Sequence, residues 1–317
     1  LISSSTYPYP KKIYEKLKYS SSLEINDIKS LDKFYTIYLS KQIKKFLKKN
    51  NKHEIDFISS HGHTVLHQPS LGITYQVGNL PILAKLINKK VICDFRFKDI
   101  EMGGQGAPLV PVGEIKLFRQ LNTFLNLGGF ANITLKNQKK IIAYDICPVN
   151  LILNILANKI NKPFDNKGVI ASKGKLIPEL EKKLNNLKFF KLKPPKSLGF
   201  EWVKENILPI FETFQNDSIN DVLNTYTIFI AKQISYALRG RKEVLVTGGG
   251  TFNSFLIREI KNRTSCTLVI PEEKIINFKE AIIFAFLGLL RDQKQINCYA
   301  SVTGAKKNHS SGNIFLP

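Results

Sequence analysis

The sequence predicts an α/β protein of two lobes, each a mixed sheet flanked by helices, and three observations carry that expectation. The chain has 317 residues, 43% of them hydrophobic, which fills packed cores and more readily makes two compact lobes than one. From Phe124 onward, apolar runs and helical stripes alternate as β-β-β-α-β-α-β-α. That is the pattern of three antiparallel strands extended in parallel by helical crossovers. Two glycine-rich turns punctuate the same lobe, and two-lobed folds of this pattern hold a nucleotide in the cleft, with hairpin turns around the phosphates.

Taken in order, helical spacing covers 12–19 and 30–49, the second with an apolar stripe of Leu31, Phe34, Tyr35, Tyr38, Leu39, Ile43 and Phe46. A short strand at 57–59 and a hairpin over 61–76 follow. Asn79 is expected to cap a helix reaching Ile87, and the apolar run 91–93 to form a buried strand that delivers Asp94. Segment 103–108 is too rich in Gly and Pro for regular structure. In the second lobe, strands are expected at 124–127, 130–134 and 140–144, the third ending in Asp145. Helices follow at 148–160, 216–239, 253–261 and 278–290, with strands at 243–246 and 267–270 and an irregular insertion over about 161–215. The lobes are drawn as 1–124, with 295–317 packing back, and 125–294. No short-period repeat interrupts this order.

The charge is 47 − 25 = +22, which invites a nucleic-acid reading. Its make-up argues against one, because 40 of the 47 basic residues are Lys and 7 are Arg, scattered along the chain. Nucleic-acid readers concentrate positive charge on one face and use Arg for bidentate contacts. Runs such as Lys44-Lys45 with Lys48-Lys49, or Lys191, Lys193 and Lys196, are read as solvated faces. Cys93, Cys147, Cys266 and Cys298 stand far apart without a C-x-x-C pair. Cys93 and Cys147, in apolar strand-like runs, are expected to be buried thiols, which fits a reducing cytoplasm. The longest apolar stretch, 281–290, is about half of what a membrane span needs.

Candidate chemistry lies at the strand ends. Leu127-Gly128-Gly129-Phe130 joins two strands, and Thr247-Gly248-Gly249-Gly250-Thr251 joins a strand to a helix. Both let backbone N–H groups approach a phosphate closely, and neither is a P-loop or a Rossmann fingerprint. Asp145, after an apolar strand, is either a base for phosphoryl transfer or a cap for the following helix. Glu280, the one acid at an apolar helix start, either complements the helix dipole or accepts from a sugar hydroxyl. Asp94, Arg96 and Asp99 either pair among themselves or face a polyhydroxylated ligand. His61, His63 and His67 imitate a metal cluster, but no third-ligand pattern supports zinc. A structural or substrate-contact role for His61 is preferred, and no metal ligand is assigned.

These segments, in this order, resemble the anhydro-N-acetylmuramic acid kinase family: His61-Gly62-His63-Thr64-Val65-Leu66-His67-Gln68-Pro69; Asp94-Phe95-Arg96 with Gly103-Gly104-Gln105-Gly106-Ala107-Pro108-Leu109-Val110-Pro111; Leu125 to Asn132; Tyr144 to Asn150; Val246 to Asn253; Glu280-Ala281; and Ser301-Val302-Thr303-Gly304-Ala305. The resemblance implies the two-lobed actin-like (ribonuclease H-like) ATPase fold and a cytoplasmic, homodimeric enzyme using ATP and Mg²⁺. Such an enzyme opens the ring of 1,6-anhydro-N-acetylmuramic acid with water and phosphorylates O6 in cell-wall recycling. It further implies Asp145 as general base toward the water attacking C1. Asn126, Gly128, Gly129 and Asn132 would lie near the ATP phosphates, and Gly248, Gly249, Gly250 and Asn253 near the adenosine side. Glu280, Asp94, Arg96 and His61 would contact the sugar. The family's opening Gly-x-Met-Ser-Gly-Thr-Ser loop has no counterpart here, where the single Met is Met102. The first lobe is therefore expected to lack its opening hairpin, and a non-catalytic sugar- or nucleotide-binding relative is the alternative. Nucleic-acid binding would be the third, with steep salt dependence.

Overall fold

Amphipathic periodicity sets the first elements. In the computed structural model, which describes every residue except 52, 53, 138, 139 and 195, α1 (Lys11–Lys18) buries Ile13 and Leu17 one turn apart. Helix α2 (Ile25–Lys49) buries Ile28, Leu31 and Tyr35. Its inward face departs from the expected stripe, since Phe34 is exposed and Asp32 is buried. The Asp32 carboxylate is satisfied there by Tyr75 Oη at 2.9 Å, Gly78 N at 2.7 Å and Thr36 Oγ1 at 3.1 Å.

β1 (Phe57–Ser59), β2 (His63–Gln68) and β3 (Ile73–Val77) follow, with β2 and β3 forming the expected antiparallel hairpin. Helix α3 (Ile82–Ile87) starts after Pro81, which occupies the cap position expected for Asn79. Asn79 is drawn instead into side-chain bonds with Ser60 and Asp94. β4 (Lys90–Cys93) pairs in parallel with β1, and Val91, Ile92 and Cys93 are fully buried. Two short helices, α4 (Phe97–Glu101) and α5 (Val110–Leu117), flank the irregular glycine-rich loop.

The next elements are β5 (Thr123–Leu127), β6 (Phe130–Lys136), β7 (Ile141–Pro148) and α6 (Asn150–Asn158). β7 runs past the expected end at Tyr144. The ladder to β6 continues through Asn132↔Asp145 to Phe130↔Pro148 across a bulge, and a proline is tolerated where an edge strand stops. The insertion, expected to be irregular, contains four short helices: α7 (Pro178–Asn185), α8 (Lys188–Lys191), α9 (Phe200–Asn206) and α10 (Leu208–Glu212). Trp202 packs there against Phe189, with ring centroids 5.2 Å apart. Lys191 and Lys193 are exposed as expected, whereas Lys196 is half-buried, with its ammonium 4.6 Å from the centroid of the Phe189 ring. Lys44, Lys45, Lys48 and Lys49 are exposed as expected.

Helix α11 (Ile219–Ala237), β8 (Glu243–Thr247), α12 (Ser254–Lys261) and β9 (Thr267–Val269) finish this sheet. Its order is β7-β6-β5-β8-β9, antiparallel on the β5–β6–β7 side and parallel through β8 and β9. A core of Leu125, Ile133, Ile152, Tyr226, Phe229 and Val246 lies against it. Truncating a buried Ile here to Ala costs about 2–5 kcal/mol.

Helix α13 (Glu273–Asp292) begins five residues before the expected start at 278, so Glu280 is not in its first turn. α14 (Ala300–Thr303) and β10 (Asn313–Phe315) end the chain, and β10 lies antiparallel to β4 to give the order β1-β4-β10. The contacts divide the chain into one unit of Leu1–Leu117 with Glu280–Pro317 and a second of Phe118–Lys279. The boundaries expected from the sequence lie at 124/125 and 294/295. No helix among the described residues is long and apolar enough to cross a membrane. All four cysteines are buried free thiols.

Candidate active site

In the first unit, the four residues expected to contact a sugar come together from separate segments. β4 ends in Asp94, whose backbone turns at φ 57°, a left-handed conformation that Asp tolerates better than most residues. Its carboxylate accepts from Asn79 Nδ2 at 2.9 Å and Asn313 Nδ2 at 3.2 Å. Burial raises its pKa, and these two amides counter the shift.

Two residues on, Arg96 donates through Nε and Nη2 to His61 Nε2, at 3.1 and 2.8 Å, and through Nη1 to the Gly106 carbonyl at 2.7 Å. His61 Nδ1 lies 2.8 Å from the Gly62 carbonyl oxygen. A carbonyl only accepts, so Nδ1 carries the proton and Nε2 receives the guanidinium. Burial first, then the Arg96 charge, lowers the His61 pKa to about 4, and the ring is neutral at pH 7. Helix α13 supplies the rest. Phe284 sits edge-on to His61 at 4.6 Å, and Glu280, one turn earlier on the same face, acts on Arg96 by its charge. Helix-dipole stabilisation in a first turn no longer explains Glu280.

In the second unit the glycine turns converge. β5 and β8 are parallel neighbours in which Asn126 pairs with Thr247, so both turns leave the same edge of the sheet, where α/β proteins place ligands. Gly248 has φ 86°, and a Cβ there would lie 2.7 Å from the Leu127 carbonyl oxygen and 2.8 Å from Asn126 Oδ1. A Cβ at Gly250 would meet Leu127 Cβ at 2.8 Å. Glycine is required because the turns touch. Asn150 Nδ2 donates to Leu127 O at 3.1 Å, and the carbonyl of Gly129 accepts from Val149 N at 2.7 Å. Gly129 and Gly249 remain exposed. Asn253 accepts from Leu256 N at 3.0 Å and so caps α12.

Asp145 lies within β7 rather than at its end, opposite Asn132. It caps no helix, since Val149 holds the cap position of α6. Its Oδ2 accepts from Leu198 N at 2.8 Å and Ser197 Oγ at 3.0 Å. Among the described residues Oδ1 has no protein donor. Burial raises the pKa of Asp145, partly offset by these two donors.

Sequence reasoning missed the supports: Asn79, Asn313 and the Gly106 carbonyl on one side, and Ser197, Leu198 and Asn150 on the other. Asn150, directly after Pro148-Val149 at the end of the Tyr144–Asn150 motif, carries a local signal; Ser197, inside an insertion, carries none.

A sequence model described as anhydro-N-acetylmuramic acid kinase matches residues 1–317. The chain belongs to the anhydro-N-acetylmuramic acid kinase family. Anhydro-N-acetylmuramic acid kinase of Bacillus cereus (strain Q1) is 32% identical over 350 residues, covering 100% of this chain and 91% of that one. The same-named protein of Bacillus thuringiensis subsp. konkukian (strain 97-27) is 31% identical with the same coverage. Among solved structures, the activator of the 2-hydroxyisocaproyl-CoA dehydratase from Clostridium difficile with bound ADPNP overlaps at 16% identity and a TM-score of 0.35, over 55% of this chain and 62% of that one; so partial an overlap decides nothing. Membership in the family makes this a sugar kinase.

Proposed function

We propose that the chain phosphorylates 1,6-anhydro-N-acetylmuramic acid at O6 while opening its anhydro ring with water, releasing N-acetylmuramic acid 6-phosphate. The observation that carries this reading is the Asp145 carboxylate, half-buried and held through Oδ2 alone. Its raised pKa makes it a better base than an exposed aspartate. Oδ1 takes a proton from the water that attacks C1, the C1–O6 bond breaks, and O6 becomes the acceptor. Glu280, Asp94, Arg96 and His61 bind the sugar's hydroxyl and acyl oxygens. Neutral His61 and the asparagine-braced Asp94 keep the geometry fixed.

The glycine turns suit a nucleotide, because the exposed Gly129 and Gly249 carry no side chain that would keep a phosphate away from the backbone. Gly128, Gly129, Asn126 and Asn132 would face its phosphates, and Gly248, Gly249, Gly250 and Asn253 its nucleoside. ATP, when bound, supplies the phosphoryl group, and Mg²⁺ accompanies its phosphates with no side chain of this chain assigned to it. The same reading makes the enzyme a cytoplasmic homodimer with no nucleic-acid partner. The test is mass spectrometry after incubating the chain with the anhydro sugar and ATP. N-Acetylmuramic acid 6-phosphate is expected. Sugar binding without product would point instead to a non-catalytic binder and sink the reading.

A further inference from the structure

Away from these residues, the first unit gathers Asp99, Cys298 and His309, all buried, with their ligand atoms within 4.8 Å of one another. The backbone brings them together. Cys298 and His309 form an antiparallel bridge with mutual N–H···O bonds of 3.1 Å, so their side chains leave the same face. Asp99 arrives from α4. Its Oδ1 accepts from Cys298 Sγ at 3.0 Å and Thr303 Oγ1 at 2.7 Å, while Oδ2 accepts from Gly106 N at 2.7 Å.

The histidine is the part that these hydrogen bonds leave unexplained. Its Nδ1 lies 3.0 Å from the Lys307 carbonyl oxygen, which fixes the proton on Nδ1. In the neutral ring Nε2 then presents a lone pair. It lies 3.4 Å from Asp99 Oδ1, with side-chain exposures of 4% and 0%, and it has no hydrogen-bond partner among the described residues. Two lone pairs, one on a carboxylate, face each other between buried side chains, an arrangement that costs free energy unless a cation or a proton joins them.

We propose that Asp99, Cys298 and His309 hold a divalent cation of the zinc class, with the Thr303 hydroxyl beside it. The donor set of carboxylate, thiolate and imidazole is one that Zn²⁺ accepts, and tetrahedral bonds of 2.0–2.3 Å place neighbouring ligand atoms about 3.3–3.8 Å apart. The observed 3.0 and 3.4 Å lie within a few tenths of that. Charge balances as well, since a carboxylate and a thiolate neutralise a 2+ ion in a buried site. Burial and Asp99 push the Cys298 thiol pKa up, so without the ion the sulfur keeps its proton. Binding releases that proton to solvent as the S–metal bond forms. The second shell is in place: Lys307 O orients the ring and Gly106 N orients the carboxylate. The ion would tie α4 to the chain's closing segment and steady the loop whose Gly106 carbonyl holds Arg96.

The full-length protein, purified after expression in zinc-supplemented medium, is expected to retain about one zinc per chain after dialysis. Reconstitution with Co²⁺ is expected to give the near-ultraviolet thiolate-to-metal absorption that only a sulfur ligand produces. Cys298→Ser and His309→Gln should each lower retained metal at least about tenfold. Circular dichroism reports whether they fold, and the Co²⁺ spectrum of the unmutated protein stands if they do not. A protonated His309 paired with Asp99 is the rival. Absence of stoichiometric metal together with no thiolate band, or equal metal in both folded variants, overturns the site.

Discussion

The cluster proposed to hold the sugar and the turns proposed to hold the phosphates are built from different materials. The turns are backbone: glycines at the ends of two adjacent parallel strands, pressed together so closely that Gly248 has no room for a Cβ. The cluster is side chain: His61, Asp94, Arg96 and Glu280, from different segments, are aligned by hydrogen bonds and charge. A backbone site tolerates change at its neighbours and none at its glycines. A side-chain site weakens in steps as its partners are removed.

Substitutions can break or sharpen that contrast. Asp145→Asn, the one side chain on which the phosphate-side unit depends for chemistry, should lower kcat by about 10²–10⁴, measured with saturating ATP and sugar. Nucleotide affinity, read by calorimetry, should stay within about twofold, because the amide oxygen can still accept from Ser197 and Leu198. Arg96→Lys should raise the KM for sugar about tenfold to a hundredfold, since lysine cannot reach both His61 and Gly106. Gly248→Ala should cost about 1–3 kcal/mol in urea denaturation and raise the KM for ATP with little effect on the KM for sugar.

The smallest effect concerns pH. His61 is held near 4 in the folded chain against about 6.5 when unfolded, so between those values the unfolded chain binds more protons and stability rises with pH. The contribution is complete above about 6.5 and is lost as pH falls toward 4. His61→Gln should flatten the difference in Tm between pH 7 and pH 4.5; an unchanged slope would place the ring in solvent.

The backbone half was the more legible in the sequence. Glycines between apolar runs mark turns whatever surrounds them, and strands of alternating burial show in a single window, so β5, β6, β8 and α12 fell close to their expected positions. Asp145 was misplaced along its strand because register is decided by β6, whose bulge lets pairing run on to Pro148. The insertion escaped because helices of four to eight residues show too few turns for a period to emerge. On the side-chain half, the residues were named but their supports were not. Asn79 was read as a helix cap because an asparagine before an apolar run is a local signal, whereas its bonds to Ser60 and Asp94 span 19 and 15 residues. The Asp99, Cys298 and His309 cluster has no spacing that a motif describes, because a bridge between the chain's last segments assembles it.

The segment Lys196–Leu198, which meets β7 at Asp145, has one more effect. β7 is the outer strand of its sheet, and an outer strand with bare amides is a template on which another chain can pair and aggregate. Lys196 O takes the Asp145 N–H at 3.0 Å, two residues before Leu198 N reaches the carboxylate. The same short segment thus occupies one amide on the sheet's outer border and steadies the proposed base. Loosening it would both unsteady that base and leave the strand freer to pair with another chain.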